Sequence, residues 1–154
     1  MFIKRVCRQL DHFKVRYAVA GGHAVALHGA VRGTVDIDFV LNWTEENLCN
    51  AEKALRQLGL VSRLPLTATE VFANREHYIR DRHLIAWNFY NPRQQEEQVD
   101  LLISFDLTGQ RVEKVKLADC EIPVLGLDEL IAMKTASSRP QDLLDIEALE
   151  KLRK

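Results

Sequence analysis

Apolar residues fall at helical spacing at the start of the chain. Ile3, Val6, Cys7, Leu10 and Phe13 share one face, while Lys4, Arg5, Arg8 and Asp11 fill the other, which predicts an amphipathic helix. Val15 to Ala20 reads as a short buried strand stopped by Gly21-Gly22, and His23 to His28 as two turns of helix ahead of Gly29. From Val35 to Leu41 the period changes to two, with Val35, Ile37, Phe39 and Leu41 on one face and Asp36, Asp38 and Val40 on the other. Thr44 is a natural N-cap, Glu45 and Glu46 suit the positive end of a helix, and Trp43 can staple onto Leu48. Leu48, Ala51, Leu55 and Leu58 continue that helix to Gly59. Residues 61–83 show no clear period. Leu84 to Tyr90 and Gln98 to Ile103 predict two strands joined by a polar loop over 91–97, and a further strand pair fits between Val112 and Leu125. Two helices close the chain, one from Leu127 to Ala136 and one from Pro140 onward, where proline suits a first helical position. Strands and helices mix without regular βαβ alternation, so the predicted class is α+β: a small mixed β-sheet flanked by helices, with two C-terminal helices.

Composition narrows the function classes. The 154 residues are about one domain's worth, spanning 1–154 with no repeat or low-complexity linker. With 21 basic against 22 acidic residues, a uniformly basic nucleic-acid coat is excluded. A 47% hydrophobic content against 28% charged excludes disorder. No apolar run reaches the ~20 residues of a membrane helix, and residues 1–8 mix charge with apolar side chains instead of forming a secretory core. Cys7, Cys49 and Cys120 are far apart and odd in number, so they are read as reduced thiols in a cytoplasmic protein.

Asp36 and Asp38 carry the chemistry. At i and i+2 of a strand both carboxylates leave the same face, about 7 Å apart at Cα. Asp100 repeats the arrangement in a second apolar strand, with Val99, Leu101 and Ile103 opposite it. If those strands are neighbours, three like charges converge and at least one is pushed towards its neutral form. A hard divalent cation such as Mg²⁺ relieves the repulsion and takes its other ligands from water and substrate phosphate. Two such ions about 3.5–4 Å apart suit phosphoryl or nucleotidyl transfer. Taken by itself, an Asp-x-Asp pair is equally at home on a solvated strand face.

The remaining candidates have plain alternatives. Gly21 and Gly22 between strand and helix let the backbone approach a phosphate, or simply make a tight turn. Arg32 and Thr34 are placed to bond phosphate oxygens or steady Asp36, or belong to a polar turn. Lys134 rises from the stripe of Leu127, Leu130 and Ile131, either snorkelling outward or aimed at a triphosphate or a site carboxylate. His23 and His28 are five apart, on different sides of a helix, which disfavours a shared metal. Asp142 and Asp145 open the last helix, where acids are favoured. The stretch Arg75 to His83 interleaves bases with Tyr78 and two acids, as a solvated surface or an RNA-contacting segment does. No GxSxG, HExxH, GxGxxG or Walker pattern occurs.

The run Tyr17 to Gly29, followed by Arg32-Gly33-Thr34-Val35-Asp36-Ile37-Asp38-Phe39, resembles the opening motif of the DNA polymerase β-like nucleotidyltransferases. Within them the likeness is to the branch of lincosamide and aminoglycoside nucleotidyltransferases and abortive-infection type toxin nucleotidyltransferases. Val99 to Ile103 resembles their strand with the third carboxylate, and Leu127 to Lys134 with Arg139 and Asp142 to Asp145 resembles the C-terminal helix pair of short members. The resemblance implies a minimal nucleotidyltransferase fold in which Asp36, Asp38 and Asp100 hold Mg²⁺. It also implies that Gly21, Gly22, Arg32 and Thr34 bind the triphosphate and that Lys134 assists. In such a mechanism an acceptor hydroxyl attacks the α-phosphate of a nucleoside triphosphate such as ATP, pyrophosphate leaves, and Asp100 takes the hydroxyl proton. The antibiotic-modifying relatives carry further acceptor-binding structure, for which this chain has little room. An RNA, protein or small-molecule acceptor, a toxin or antitoxin partner, or a homodimer is therefore expected to complete the site. The alternative is a non-catalytic nucleotide-binding or partner-binding module that keeps the fold.

Overall fold

A computed structural model describes residues 1–29, 36–117 and 119–153. The first helix, α1 (Phe2–His12), buries Ile3, Val6, Cys7 and Leu10 as its spacing requires. It stops at Lys14, where φ is +57°, and the Val15 amide closes back onto Leu10 O at 3.0 Å. Strand β1 (Tyr17–Ala20) follows, buried at every position, and leads directly into α2 (Gly21–Leu27). The helix thus begins at Gly21, so the glycine pair forms its first turn instead of a loop ahead of it. Strand β2 (Ile37–Leu41) leads to α3 (Glu45–Gln57), whose Asn47 amide donates to the Thr44 hydroxyl at 3.2 Å, the cap expected from sequence.

Residues 61–83, illegible in sequence, form strand β3 (Val61–Ser62) and two short helices, α4 (Ala68–Ala73) and α5 (Arg75–Arg82). Strands β4 (Ala86–Asn91) and β5 (Gln94–Asp106) make a hairpin. The loop expected over 91–97 is mostly strand: Asn91 Oδ1 accepts from Arg93 N at 2.9 Å, a tight turn, and β5 starts at Gln94. Glu97 hid this extension. It continues the inward alternation of Val99, Leu101 and Ile103, and is buried with Arg5 and Asn91 each 2.9 Å from its Oε1. Strands β6 (Val112–Leu117) and β7 (Cys120–Leu125) pair antiparallel, and α6 (Leu127–Ser137) and α7 (Pro140–Arg153) close the chain.

The strands form one seven-stranded mixed sheet in the order β3-β4-β5-β2-β1-β7-β6. Pairing is parallel between β2 and β5 and between β1 and β7, and antiparallel elsewhere. This is the α+β architecture read from the pattern. One sheet face is apolar: Phe39 stands beside Leu101 and then Trp87, and Ile37 beside Val99 and then Phe89, all fully or almost fully buried. Tyr17 meets Phe39 edge-on at 5.6 Å and sends its hydroxyl to Cys7 O and Asp11 Oδ1, so α1 covers this face. Alternation then sends Asp38, Asp100 and Asn88 to the opposite face. Among the described residues no helix is long and apolar enough to cross a membrane.

Candidate active site

The site grows from one row of residues across the sheet. Ala20, Asp38, Asp100 and Asn88 are direct neighbours on β1, β2, β5 and β4. Adjacent strands lie about 4.8 Å apart, so the Asp38 and Asp100 carboxylates leave the sheet side by side. Asp36 lies just ahead of β2 and acts on both from the same end. Asp38 and Asp100 are therefore brought together, and Asp36 interacts with both through its charge.

Burial and crowding set the electrostatics. The Asp38 carboxyl is pushed up to about 7, first by burial and then by the charge of Asp100, a hydrogen bond with Asp100 and the charge of Asp36. The Lys134 ammonium opposes the rise. Asp36 is also raised, by burial first and by Asp100, against the pull of Arg63 and His23. Asp100 accepts a hydrogen bond at 2.7 Å from Asn88 Nδ2.

Gly21 completes the inner wall. Its φ is +61°, and a Cβ there would lie 1.9 Å from Asp38 Oδ2 and 2.8 Å from Asp38 Cγ. Both the conformation and the space demand glycine. Gly22 is buried in the next position of α2. Arg32 and Thr34, also candidates from sequence, lie outside the described residues.

Lys134 does not snorkel. Its side chain is buried, with Nζ 2.9 Å from Asp145 and 3.4 Å from Asp142, both carboxylates nearly inaccessible. Arg139 bonds Asp142 again from the solvent side at 2.9 Å, and this holds the Asp142 carboxyl well below its usual range despite burial. The placement of Asp142 and Asp145 in the first turns of α7 is as expected, but their work is to clamp Lys134. The ammonium meets acids of α7 and reaches Asp38 through its field.

A cleft of about 840 Å³ opens from Gly21 and Asp38. Ile79 of α5 with Leu102 and Phe105 of β5 form apolar walls, Ala132 and Met133 of α6 add to them, and Arg139, Asp128 and Glu129 supply charge. The helix α5 that carries the Arg75–His83 stretch spends its charges locally. Arg80 pairs with Glu76 and His77 with Asp81, while Arg75 donates to Ile103 O and lies over Trp43. His28 bonds Leu125 O at 2.8 Å, away from His23, which acts on Asp36; no shared site forms between the two histidines.

Two residues escaped the sequence reading. Asn88 sits between Asp100 and Arg63, accepting from Arg63 Nε at 2.8 Å, and Arg63 stacks over Tyr90 at 4.3 Å. The available signal was a lone amide at a site-facing position between Trp87 and Phe89, meaningful only once β4 is paired with β5.

Three carboxylates beside a glycine suit a hard divalent cation, because oxygen donors with mutual repulsion exchange a shared proton for metal. Among the described residues no group of three His, Cys, Asp or Glu already stands in a ligating arrangement. Burial and the neighbouring charge of Asp100 instead favour the protonated form of Asp38.

No family model matches the sequence, and no curated protein does. Solved structures do. The chain is similar to the lincosamide antibiotic adenylyltransferase LnuA in its lincomycin-bound form, with a TM-score of 0.66, 14% identity, and 98% of this chain and 96% of that one covered. It is also similar to ANT(2")-Ia in complex with adenylyl-2"-tobramycin, with a TM-score of 0.64, 13% identity and coverage of 98% and 90%. An antigenic nucleotidyltransferase-like protein from Paracoccidioides brasiliensis matches with a TM-score of 0.59, 18% identity and coverage of 95% and 72%. The chain therefore has the nucleotidyltransferase fold. Its match to LnuA spans nearly all of that chain.

Proposed function

We propose that this cleft transfers a nucleoside monophosphate from a nucleoside triphosphate to an acceptor hydroxyl. The observation that carries the reading is the pairing of Asp38 directly with Asp100 across parallel strands, with Asp36 beside them and Gly21 packed on Asp38. The acceptor oxygen forms a bond to the α-phosphorus, the bond between the α-phosphorus and its bridging oxygen breaks, and pyrophosphate leaves with the electron pair. Asp100 takes the acceptor's proton. Its hydrogen bond from Asn88 holds the carboxylate in place for this transfer.

In this reading Asp36, Asp38 and Asp100 hold Mg²⁺, which when bound neutralises charge on the phosphates and the attacking oxygen. Gly21 and Gly22 let the α2 backbone come close to the triphosphate, and Arg32 and Thr34 join them. Lys134 contributes through its field on Asp38, since Asp142 and Asp145 already engage its ammonium. The apolar walls of Ile79, Leu102, Phe105, Ala132 and Met133 favour a small-molecule acceptor with an apolar body.

The test is incubation of the protein with α-labelled nucleoside triphosphates, Mg²⁺ and a panel of hydroxyl-bearing acceptors. Label transfer that is lost with EDTA and in Asp38→Asn is the expected result. Absence of transfer together with absence of Mg²⁺-dependent nucleotide binding overturns the reading. Nucleotide binding without transfer, unaltered biological activity in Asp38→Asn included, points to the non-catalytic module.

A further inference from the structure

We infer that Asn88 is a positioning residue for Asp100, itself held in register by Arg63; the inference rests on the nucleotidyl-transfer reading. The cross-sheet row continues beyond the acids: next to Asp38 and Asp100 comes Asn88, and next to Asn88 comes Arg63, whose backbone amide donates to Asn88 O at 3.0 Å. Both ends of the Asn88 amide are used. Nδ2 donates to Asp100 Oδ1 at 2.7 Å and to Gln98 Oε1 at 3.3 Å, while Oδ1 accepts from Arg63 Nε at 2.8 Å. A carboxylate can only accept and a guanidinium can only donate, so the amide has one satisfactory orientation. Flipping it would set oxygen against oxygen and nitrogen against nitrogen.

Asp100 needs such a hold. Its neighbour Asp38 repels it whenever both are ionised, and rotation of the Asp100 side chain away from β2 would relieve the repulsion. The donation from Asn88 pins Asp100 Oδ1 on the β4 side, so the carboxylate keeps one torsion and leaves its other oxygen for the β2 side, where Asp38 lies. Arg63 supplies rigidity from the edge of the sheet. Its guanidinium is fixed between the Asn88 oxygen and the Tyr90 ring and adds positive charge that reaches Asp36. A hydrogen bond serving only the β4–β5 hairpin would not require this donor to end on an acid of the site.

The experiment compares wild type, Asn88→Leu, Arg63→Met, Asp100→Asn and the double variant Asn88→Leu/Asp100→Asn. Arg63 is exposed, so its variant keeps the fold if Asn88→Leu does not. Single-turnover label transfer and KM for the nucleotide are read beside Mn²⁺ affinity, measured by electron paramagnetic resonance with a non-reactive nucleotide analogue. The expected result for Asn88→Leu is a kcat lower by about 10–100-fold with KM within about threefold, and Mn²⁺ binding weaker by about tenfold, as for residues that orient a ligand. Arg63→Met shows the same pattern at roughly a third of the effect on a logarithmic scale, and Asn88→Leu adds nothing to Mn²⁺ binding once Asp100 is Asn. A lowered melting temperature with kcat and Mn²⁺ affinity within about twofold of wild type in both variants overturns the inference and leaves the proposed function standing. A wild type that neither transfers label nor binds Mn²⁺ overturns both.

Discussion

Asp38→Asn should stabilise the metal-free protein at alkaline pH. In the unfolded chain the carboxyl titrates near 3.8, whereas in the folded protein it is pushed up to about 7. Between those values the folded state keeps a proton that the unfolded state has lost, so stability falls as pH rises through the window and levels off above it. A displacement of about three pH units at ~1.36 kcal/mol each sets a ceiling of about 4 kcal/mol. Part of this shift comes from the charges of Asp100 and Asp36 and not from burial, so we expect about 2–4 kcal/mol. Asn removes the charge and can still hydrogen-bond Asp100. Urea unfolding at pH 5, 6, 7 and 8 in EDTA measures the gap: about two-fifths of its full size at pH 5, growing to about 2–4 kcal/mol in favour of Asp38→Asn at pH 8, with unchanged m-values. Millimolar Mg²⁺ should then stabilise wild type at pH 8 and leave Asp38→Asn nearly unaffected. A variant no more stable than wild type at pH 8, or a gap that is constant from pH 5 to 8, refutes the electrostatic account of the acid cluster.

Gly21→Ala should abolish most label transfer, by about 100-fold or more, because its methyl would displace Asp38 and misplacement of about 1 Å is that costly. Gly59→Ala is the control: φ is +97° there too but nothing lies within 4 Å of the new methyl, so melting temperature falls and transfer per folded molecule does not. Lys134→Met should lose about 3–5 kcal/mol in chemical denaturation, since Asp142 and Asp145 stay buried without their shared ammonium. The same change removes a cation that lowers Asp38, so the pH dependence of stability should shift further upward. Asn47→Ala should cost about 2–3 kcal/mol by thermal unfolding. The Asn47 amide binds Arg16 N, Arg16 O and Asn42 O, tying the entry of β1 to the exit of β2.

Much of this was legible in the sequence because period-two alternation is unforgiving. Once Ile37, Phe39, Val99 and Leu101 are assigned to the core, Asp38 and Asp100 have no other place than the opposite face. The cap at Thr44 and the stripe of α1 were legible for the same local reason. Partnership was not. The sequence offers Lys134 a triphosphate or a site carboxylate as partner but not Asp142 and Asp145, because these belong to the next helix and their clamp exists only after α6 and α7 pack. Asn88 carries no chemistry until the hairpin brings it to Asp100. Glu97 broke the apolar count of β5, since its burial depends on Arg5 at the other end of the chain. Residues 61–83 fold into pieces too short for any period to show.

Parallel pairing of β2 with β5 also governs when the acids meet. The β4–β5 hairpin closes through local contacts, whereas β2 must wait for the chain between to be laid down before β5 can join it. Docking the hairpin is thus the moment at which two negative charges are forced together. Protons or divalent ions that screen them should hasten this step, which in a nascent chain precedes the addition of β7 to β1.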